Sequence, residues 1–530
     1  MILENLLLII SLLFVVSMLT MLSEKIGISY PIFLVIAGLL ISFIPGIPHF
    51  QLEPDLVFLI FLPPLLYEAA WNTSWKDFWA SRRAIGLLSV GLVVFTATAV
   101  AYISHALIPG FTLAMGFVLG GIISPPDAVA ATSVLHGIKV PKRVVTILEG
   151  ESLVNDASSL IVFRVALTTI ETGNFVLWKA GADFLMVAAM GVVIGLAIAH
   201  VLYVVHRFFP TTPSVDTALT FISPYLMYIT AEHFHYSGVL AVVSGGLFLS
   251  FRAHELFSYQ SRMQGNYVWQ TVVFLLNGIV FILIGLQLPA VVKGLNDYTV
   301  TELVTYAVII SLVTIVIRII WVFPGTYFPR LFKSVRKKEA NPTWQSVFIV
   351  GWAGMRGVVS LASALSIPLL VNKQPFPHRD LFLFITFVVI LFTLVFHGLS
   401  LPYLIKWLKI DDEGENLEEE NAIINSRLAA VSLDYMKSNY DGEIQDFEPF
   451  RLLKERYEKI IEMADYKLLR SENKESIGHV RKYRAMLLEI IAVKREEIVK
   501  LRSEKVCSDE LIRTKENELD LEEARLRKSR

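Results

Sequence analysis

The sequence predicts an all-α polytopic membrane protein. It has about 13 transmembrane helices with inverted six-helix repeats, two broken helices and a helical cytoplasmic tail. Three observations predict it. Over half of the 530 residues are hydrophobic, 54%, while only 18% are charged, which is a membrane-protein balance. Apolar runs of spanning length recur between polar breaks up to residue 410. Two of those runs are interrupted, at corresponding places in the two halves of the body.

The spans fall near 3–22, 29–46, 54–71, 84–106, 112–135, 143–171 and 176–206, then near 214–232, 236–252, 268–289, 300–326, 343–370 and 379–405. Loop charge tests the alternation. One set of alternate loops, with the segment after the last span, carries 17 Lys and Arg, among them Arg82, Arg83, Lys139, Lys142, Arg143, Arg252, Arg262 and the run Arg330–Lys338. The other set carries 4: Lys179, Lys293, Lys373 and Arg379. The basic set faces the cytoplasm, so the N-terminus lies outside and the tail inside. Met1-Ile2-Leu3-Glu4 has no basic leader and no small-residue cleavage site follows, so the first run reads as a retained span. Trp71, Trp75 and Trp79, beside Lys76 and Arg82, read as interfacial anchors.

The fifth span contains Ser124-Pro125-Pro126-Asp127. Two prolines remove two donors and clash with the preceding turn, so a helix cannot run smoothly through them. Such backbone is tolerated at that depth only against protein or water. Asp127 either caps the second half-helix, faces the cavity, or both. The twelfth span contains Gly351-Trp352-Ala353-Gly354-Met355-Arg356-Gly357, whose three glycines favour an unwound segment. Spans one to six and eight to thirteen are then halves of opposite orientation, each broken in its fifth member. Interrupted helices so placed point to a transport site near the midplane.

The sixth span carries Gly150-Glu151-Ser152-Leu153-Val154-Asn155-Asp156. Each carboxylate at the centre of a span costs at least roughly 2.5–3.5 kcal/mol, so each needs a partner or a wet cavity. Ser152, Asp156 and Ser159 share one stripe, with Asn155 beside it, whereas Glu151 points elsewhere. Asp156 is therefore the candidate ion-binding carboxylate. Glu151 is the candidate half of a buried salt bridge with Arg356 as its natural partner and Asp127 as competitor. Glu68, after Leu62-Pro63-Pro64, either approaches the ion path or sits near the cytoplasmic interface. Arg164 is expected to pair near the outer end, and Arg318 to neutralise a helix terminus or bond carbonyls. Glu232, His233 and His235 sit at an outer break whose spacing does not argue for a metal. Asp183 and His200 read as interfacial or cavity-facing. Ser237-Gly238 and Ser244-Gly245-Gly246 suit close helix packing.

The boundary between two domains, 1–410 and 411–530, follows a shift in charge. From Asp411 onward there are 29 acidic and 23 basic residues, against 19 and 24 before it. Asp411-Asp412-Glu413-Gly414-Glu415 reads as a solvated linker. Arg451–Leu469 and Lys482–Leu501 favour helix, with mixed charge. The absence of a strong basic patch argues against nucleic acid. Cys507 is the only cysteine, which excludes an intrachain disulfide or a multi-cysteine metal site. Ser152 has no His or Lys base nearby in sequence, which argues against an intramembrane hydrolase.

Taken together, the motif Gly150–Asp156, Gly354-Met355-Arg356-Gly357, Leu62-Pro63-Pro64 and Ser237-Gly238-Val239-Leu240-Ala241 resemble the monovalent cation/proton antiporter-1 family, in its NhaP-type and mammalian sodium–proton exchanger branch. The resemblance covers about residues 1–410. It implies thirteen spans, a homodimer in the cell membrane, and a six-helix core moving against a dimerisation domain. It implies secondary exchange of cytoplasmic Na+ or Li+ for external H+, with no cofactor and no enzymatic activity. By position, Asp156 would bind cation or proton with help from Ser152, Asn155 would steady the site, Glu68 would line the path, and Glu151 with Arg356 would form the buried pair. Relatives often carry Thr-Asp-Pro or Val-Asp-Pro at the first break. Here Pro126-Asp127-Ala128 stands there, so the threonine ligand is missing while Asp127 is kept. One titrating carboxylate beside an amide at Asn155 implies one cation for one proton. Exchange of K+, or a channel or sensor built on the same pocket, is the alternative reading, since oxygen ligands accept either alkali cation.

Overall fold

A computed structural model describes residues 2–44, 58–135, 138, 140–173, 175–293, 295, 298–338, 341–371, 373–410, 414–469, 474–503 and 509–528. Lys139, the linker acids Asp411 to Glu413, and Cys507 lie outside these residues. The chain forms two units, Met1–Asp412 and Glu413–Arg530.

The first unit is built of helices α1 (Ile2–Ile26), α2 (Tyr30–Ser42), α3 (Leu62–Asn72), α4 (Trp75–Leu107), α5 (Leu113–Ile123), α6 (Ala128–Leu135), α7 (Lys142–Thr172) and α8 (Leu177–Phe208). It continues with α9 (Pro213–His233), α10 (Gly238–Leu256), α11 (Tyr259–Leu286), α12 (Val300–Tyr327), α13 (Trp344–Trp352), α14 (Val358–Leu365) and α15 (Arg379–Leu408). Among the described residues, nine spans are long and apolar enough to cross a membrane by length and composition; one of them is α5 with α6. The only described strands are the two-residue pair Leu370–Val371 and Gln374–Pro375, antiparallel between α14 and α15.

Local chemistry sets the starts. Thr112, Thr212, Ser237, Ser258 and Thr343 each accept a backbone N–H in the first turn of the helix that follows. Thr299 and Glu302 close a reciprocal capping box on α12. α7 stops at Gly173, whose φ of 72° only glycine adopts cheaply. α4 begins nine residues before the span expected at 84, and it passes through a π-helical segment, Leu87–Leu92. There the Trp321 indole N–H donates to the Leu87 carbonyl at 3.0 Å, satisfying a group that the loosened turn exposes.

Three apolar clusters form the interior. The first joins α1, α2, α6, α11, α13 and α15 to Val144 and Leu148 of α7. The second joins α4, α5, α12, α14 and α15 to Phe163 and Ala166 of α7. The third joins α3, α8, α9 and α10 to Leu153 and Ala157 of α7. α7 thus runs along the seam between the clusters, and its polar stripe lies in that seam. Large apolar residues such as Phe14, Trp178, Leu185 and Val300 cover the outside, as a lipid-facing surface requires.

The second unit is helical: α16 (Gly414–Asn439), α17 (Asp441–Asp446), α18 (Glu448–Leu469), α19 (Lys474–Ser503) and α20 (Asp509–Lys528). α16 packs on α18, and α19 on α20. Arg495 of α19 donates to Asp520 at 2.6 Å and to Glu523 at 2.8 Å on α20. The helices expected over Arg451–Leu469 and Lys482–Leu501 are present and run longer at both sites.

Candidate functional site

The two interruptions meet. Helix α5 ends at Ile123 and α6 starts at Ala128; α13 ends at Trp352 and α14 starts at Val358. The Asp127 amide donates to the Met355 carbonyl at 2.7 Å, which ties one break to the other. Approach is so close at Gly357 that an added Cβ would overlap the Asp127 carboxylate. The prolines and glycines that break these helices are therefore what lets them cross.

Breaking two helices creates four half-helix ends, and each has its counter-charge. The Asp127 carboxylate accepts from the Val129 amide at 2.8 Å, and the Ala130 and Val358 amides also face it. It caps the N-termini of both α6 and α14. Arg356 donates from Nε to the Ile123 carbonyl at 3.1 Å, the C-terminal end of α5, and from Nη1 to Gly354. Arg318, on α12, donates to the Val350 carbonyl at 3.0 Å, the C-terminal end of α13.

This arrangement corrects one expectation. Glu151 pairs with Arg318, not with Arg356: two parallel bonds of 2.6 and 2.8 Å join the guanidinium to the carboxylate, with each side chain 1% exposed. The reason is geometric. Arg356 lies within the unwound segment, where its Nε and Nη1 donate to carbonyls of the breaks, whereas Arg318 enters from a continuous helix and reaches Glu151. Of the two roles expected for Arg318, carbonyl bonding and helix-end neutralisation, both hold, and the ion pair is added.

Asp156 lies beside the crossing, 6% exposed, close enough to the Asp127 carboxylate for the two charges to interact. Among the described residues no donor is bonded to the Asp156 carboxylate. Ser152, one turn before it, accepts the Ala128 amide at 3.3 Å. Asn155 donates to the Pro126 carbonyl at 2.9 Å, and its buried Oδ1 has no hydrogen-bond partner among the described residues. Asp156, Ser152, Asn155 and Asp127 thus converge. No hydroxyl stands at position 126, and the Pro126 carbonyl is bonded to Asn155.

Glu68 is half-buried on α3 and bonded by Asn72 at 2.6 Å. Its carboxylate lies near that of Glu149, a residue absent from the candidates that the sequence motifs supply. Glu149 is half-buried and sits seven residues before Asp156 on the same stripe as Ser152. Extending the i, i+3, i+7 pattern one turn toward the N-terminus is the signal that finds it. About two turns past Asp156 on α7, Arg164 pairs with Glu232 at 2.6 Å. Asp183 and His200 lie exposed on α8, away from the crossing. Among the described residues, no group of three or more His, Cys, Asp or Glu is arranged to hold a resident metal ion.

A buried carboxylate without a donor, on the seam beside two crossed half-helix pairs, is suited to a small cation or a proton. Comparison with known proteins points the same way. Residues 9–407 match the family model described as sodium/hydrogen exchanger, transmembrane. The low-affinity Na(+)/H(+) antiporter NhaS1 of Synechocystis is 32% identical over 429 residues, 80% of this chain and 78% of that one. The sodium, potassium, lithium and rubidium/H(+) antiporter of Bacillus subtilis is 33% identical over 390 residues, 71% of this chain and 58% of that one. The solved sodium proton antiporter MjNhaP1 of Methanocaldococcus jannaschii shares the fold, with a TM-score of 0.61 at 19% identity, over 77% of this chain and 99% of that one. The membrane unit, with its crossed breaks and its lone carboxylate, belongs to the sodium/hydrogen exchanger family of cation/proton antiporters.

Proposed function

We propose that the chain exchanges cytoplasmic Na+, or Li+, for external H+ one for one, with both ions competing for Asp156. The observation that carries this is the charge count at the crossing. Asp127 and Glu151 are matched by Arg356 and Arg318, each held by the contacts above. Asp156 is the charge left over. One monovalent cation or one proton makes the buried cluster neutral. An empty, charged site must leave polar surroundings to cross, and the desolvation cost opposes that step. A loaded site crosses more easily, which couples the two fluxes.

The cation ligands are the Asp156 carboxylate, the second lone pair of the Ser152 hydroxyl, Asn155 Oδ1, and water, all hard oxygens. Asp127 shapes the site by holding the half-helix ends. Glu68 and Glu149 line the mouth and raise the local cation concentration. The loop-charge asymmetry puts that mouth in the cytoplasm, together with the tail, in a cell membrane. Thirteen crossings and a homodimer complete the reading. The test is proteoliposomes under a Na+ or Li+ gradient, with internal pH and membrane current read together. Proton movement without sustained current supports one-for-one exchange. A steady current following the gradient refutes it.

A K+/H+ exchanger is the second reading, favoured by the name of the Bacillus subtilis relative, which includes potassium. Equal proton movement under K+ and Na+ gradients would select it.

A further inference from the structure

The seam that holds Asp156 is closed differently at its two ends. α7 contributes Leu153, Ala157 and the partly buried Leu160 to the cluster of α3, α8, α9 and α10, and Phe163 and Ala166 to the cluster of α4, α5, α12, α14 and α15. An ion reaches Asp156 from either side only where those two clusters part. At the Glu68 end, Glu68 and Glu149 are half-buried carboxylates that, among the described residues, have no cationic partner; Glu68 meets only Asn72, which is exposed. An ion pair at that end, Lys142 with Asp77 at 2.7 Å, joins α7 to α4 and not to α9 or α10.

At the opposite end the seam is tied. Arg164 stands eight residues past Asp156, about 12 Å further along the helix at 1.5 Å per residue. Its guanidinium reaches Glu232, at the end of α9, with a 2.6 Å bond. The other carboxylate oxygen of Glu232 accepts the Gly238 amide, in the first turn of α10, at 3.2 Å. Glu232 is thus clamped to the α9–α10 corner while it holds α7. Below the pair, Leu160 lies between Arg164 and Asp156 on α7, four residues from each, and packs against the cluster of α3, α8, α9 and α10.

We propose that Arg164–Glu232 is the latch of the gate at the end of the seam opposite Glu68, and that this pair breaks each time the site opens to that side. The proposal rests on the exchange reading above, because only a site with alternating access needs a latch on one side. An ion pair suits the role. It is partly exposed, with side chains 46% and 28% accessible, so water re-solvates both charges when it opens. A deeply buried pair such as Glu151–Arg318 would cost too much to break in every cycle.

The experiment uses the only cysteine, Cys507, to advantage: its replacement by serine leaves a thiol-free chain. In oriented vesicles, Leu160→Cys in the Cys507→Ser background is labelled by a membrane-impermeant maleimide applied at the Arg164 face. Labelling is slow with the pair intact. Glu232→Gln, which keeps an acceptor for the Gly238 amide but removes the charge, raises the labelling rate about fivefold, the scale of one partly exposed pair. The exchanged pair Arg164→Glu with Glu232→Arg brings it back down. Equal labelling in all three proteins overturns the latch, and it does so whether or not the protein exchanges ions. A second arm joins Arg164→Cys to Glu232→Cys with a short, reducible bis-thiosulfonate. Exchange stops on cross-linking and returns with reductant. Exchange at the uncross-linked rate, with cross-linking confirmed by mass, also overturns it. If exchange is absent even from the unaltered chain, the function proposed above fails while the labelling result still decides the latch.

Discussion

Replacing Glu151 with leucine leaves the Arg318 guanidinium charged and buried, with only the Val350 carbonyl as partner among the described residues. Removing one member of a buried pair costs roughly 3–5 kcal/mol. Arg318→Met leaves Glu151 unpaired at a similar cost, and it also frees the Val350 carbonyl, adding about 1–3 kcal/mol for a buried acceptor without a donor. Replacing both, with Glu151→Leu and Arg318→Met, removes the stranded charge. Apolar replacement of a complete buried pair is often neutral or stabilising, by about 1–4 kcal/mol. The double variant therefore loses only what the Val350 carbonyl loses and is more stable than either single variant. The assay is thermal unfolding in detergent, followed by tryptophan fluorescence, on all four corners of the cycle. A parallel cycle pairs Glu151 with Arg356, which shares no hydrogen bond with it, and its coupling energy is smaller. If the Glu151 and Arg318 effects simply add, or if Arg356 shows the larger coupling with Glu151, the assignment of the pair is wrong.

Other outcomes follow from the same contacts. Asp156→Asn removes the one unmatched charge at the crossing, so both cation and proton flux vanish while the thermal midpoint holds; sodium-driven proton movement at the unaltered rate in proteoliposomes would refute it. Gly357→Ala forces a Cβ into the Asp127 carboxylate and lowers both the thermal midpoint and the exchange rate, whereas Gly86→Ala, with nothing within 4 Å, leaves both in place. Equal behaviour of the two alanine variants would show that the breaks are not packed as described. In the tail, Arg527 and Arg495 hold the Glu523 carboxylate below its ordinary range. That preference favours the folded state above the ordinary carboxylate range and is lost as pH falls through the lowered value. Amide protection of α20 in the full chain, corrected for intrinsic exchange, drops over that interval, and a flat profile would refute the contribution.

Much of this architecture is legible in the residues themselves. Hydropathy and loop charge mark most helices of the membrane unit, because lipid permits only helices or barrels and the basic residues mark alternate loops. Pro125, Pro126, Gly354 and Gly357 mark both breaks, since no smooth helix accommodates them. What local pattern does not rank is the partner of Glu151. Arg318 and Arg356 are each a lone arginine in an apolar run, and nothing nearby in sequence says which guanidinium is occupied by carbonyls. That choice depends on where two unwound segments cross, a long-range fact. Glu149 escapes for a different reason. It borders the polar motif, and only the approach of Glu68 from another helix gives it a place at the mouth of the site.

The missing threonine at position 126 can be placed in the same frame. A hydroxyl there would offer the cation an extra oxygen, but the backbone it would sit on is needed for another purpose. The Pro126 carbonyl accepts Asn155, the Asp127 amide donates to Met355, and the Asp127 carboxylate caps two half-helices. Proline at 126 stiffens that junction by fixing φ and contributes no donor that would need a partner. Asn155 then does two jobs at once. Its amide nitrogen anchors the first break to α7, and its Oδ1, buried and without a partner among the described residues, is the oxygen proposed for the cation. On the function proposed above, the coordination shell lies on α7 rather than on the broken helix, with Ser152, Asn155 and Asp156 on adjacent faces of one continuous element. A shell carried by one rigid helix keeps its spacing as the crossing shifts. This predicts that Asn155→Asp, which replaces the only anchoring amide and adds a second charge beside Asp156, both loosens the break and makes exchange electrogenic. Restoring threonine at 126 in the otherwise unaltered chain should leave the stoichiometry alone and change cation affinity only. Sodium-driven current that appears with Asn155→Asp but not with Pro126→Thr would separate the two roles; current in neither variant would refute the assignment of Asn155.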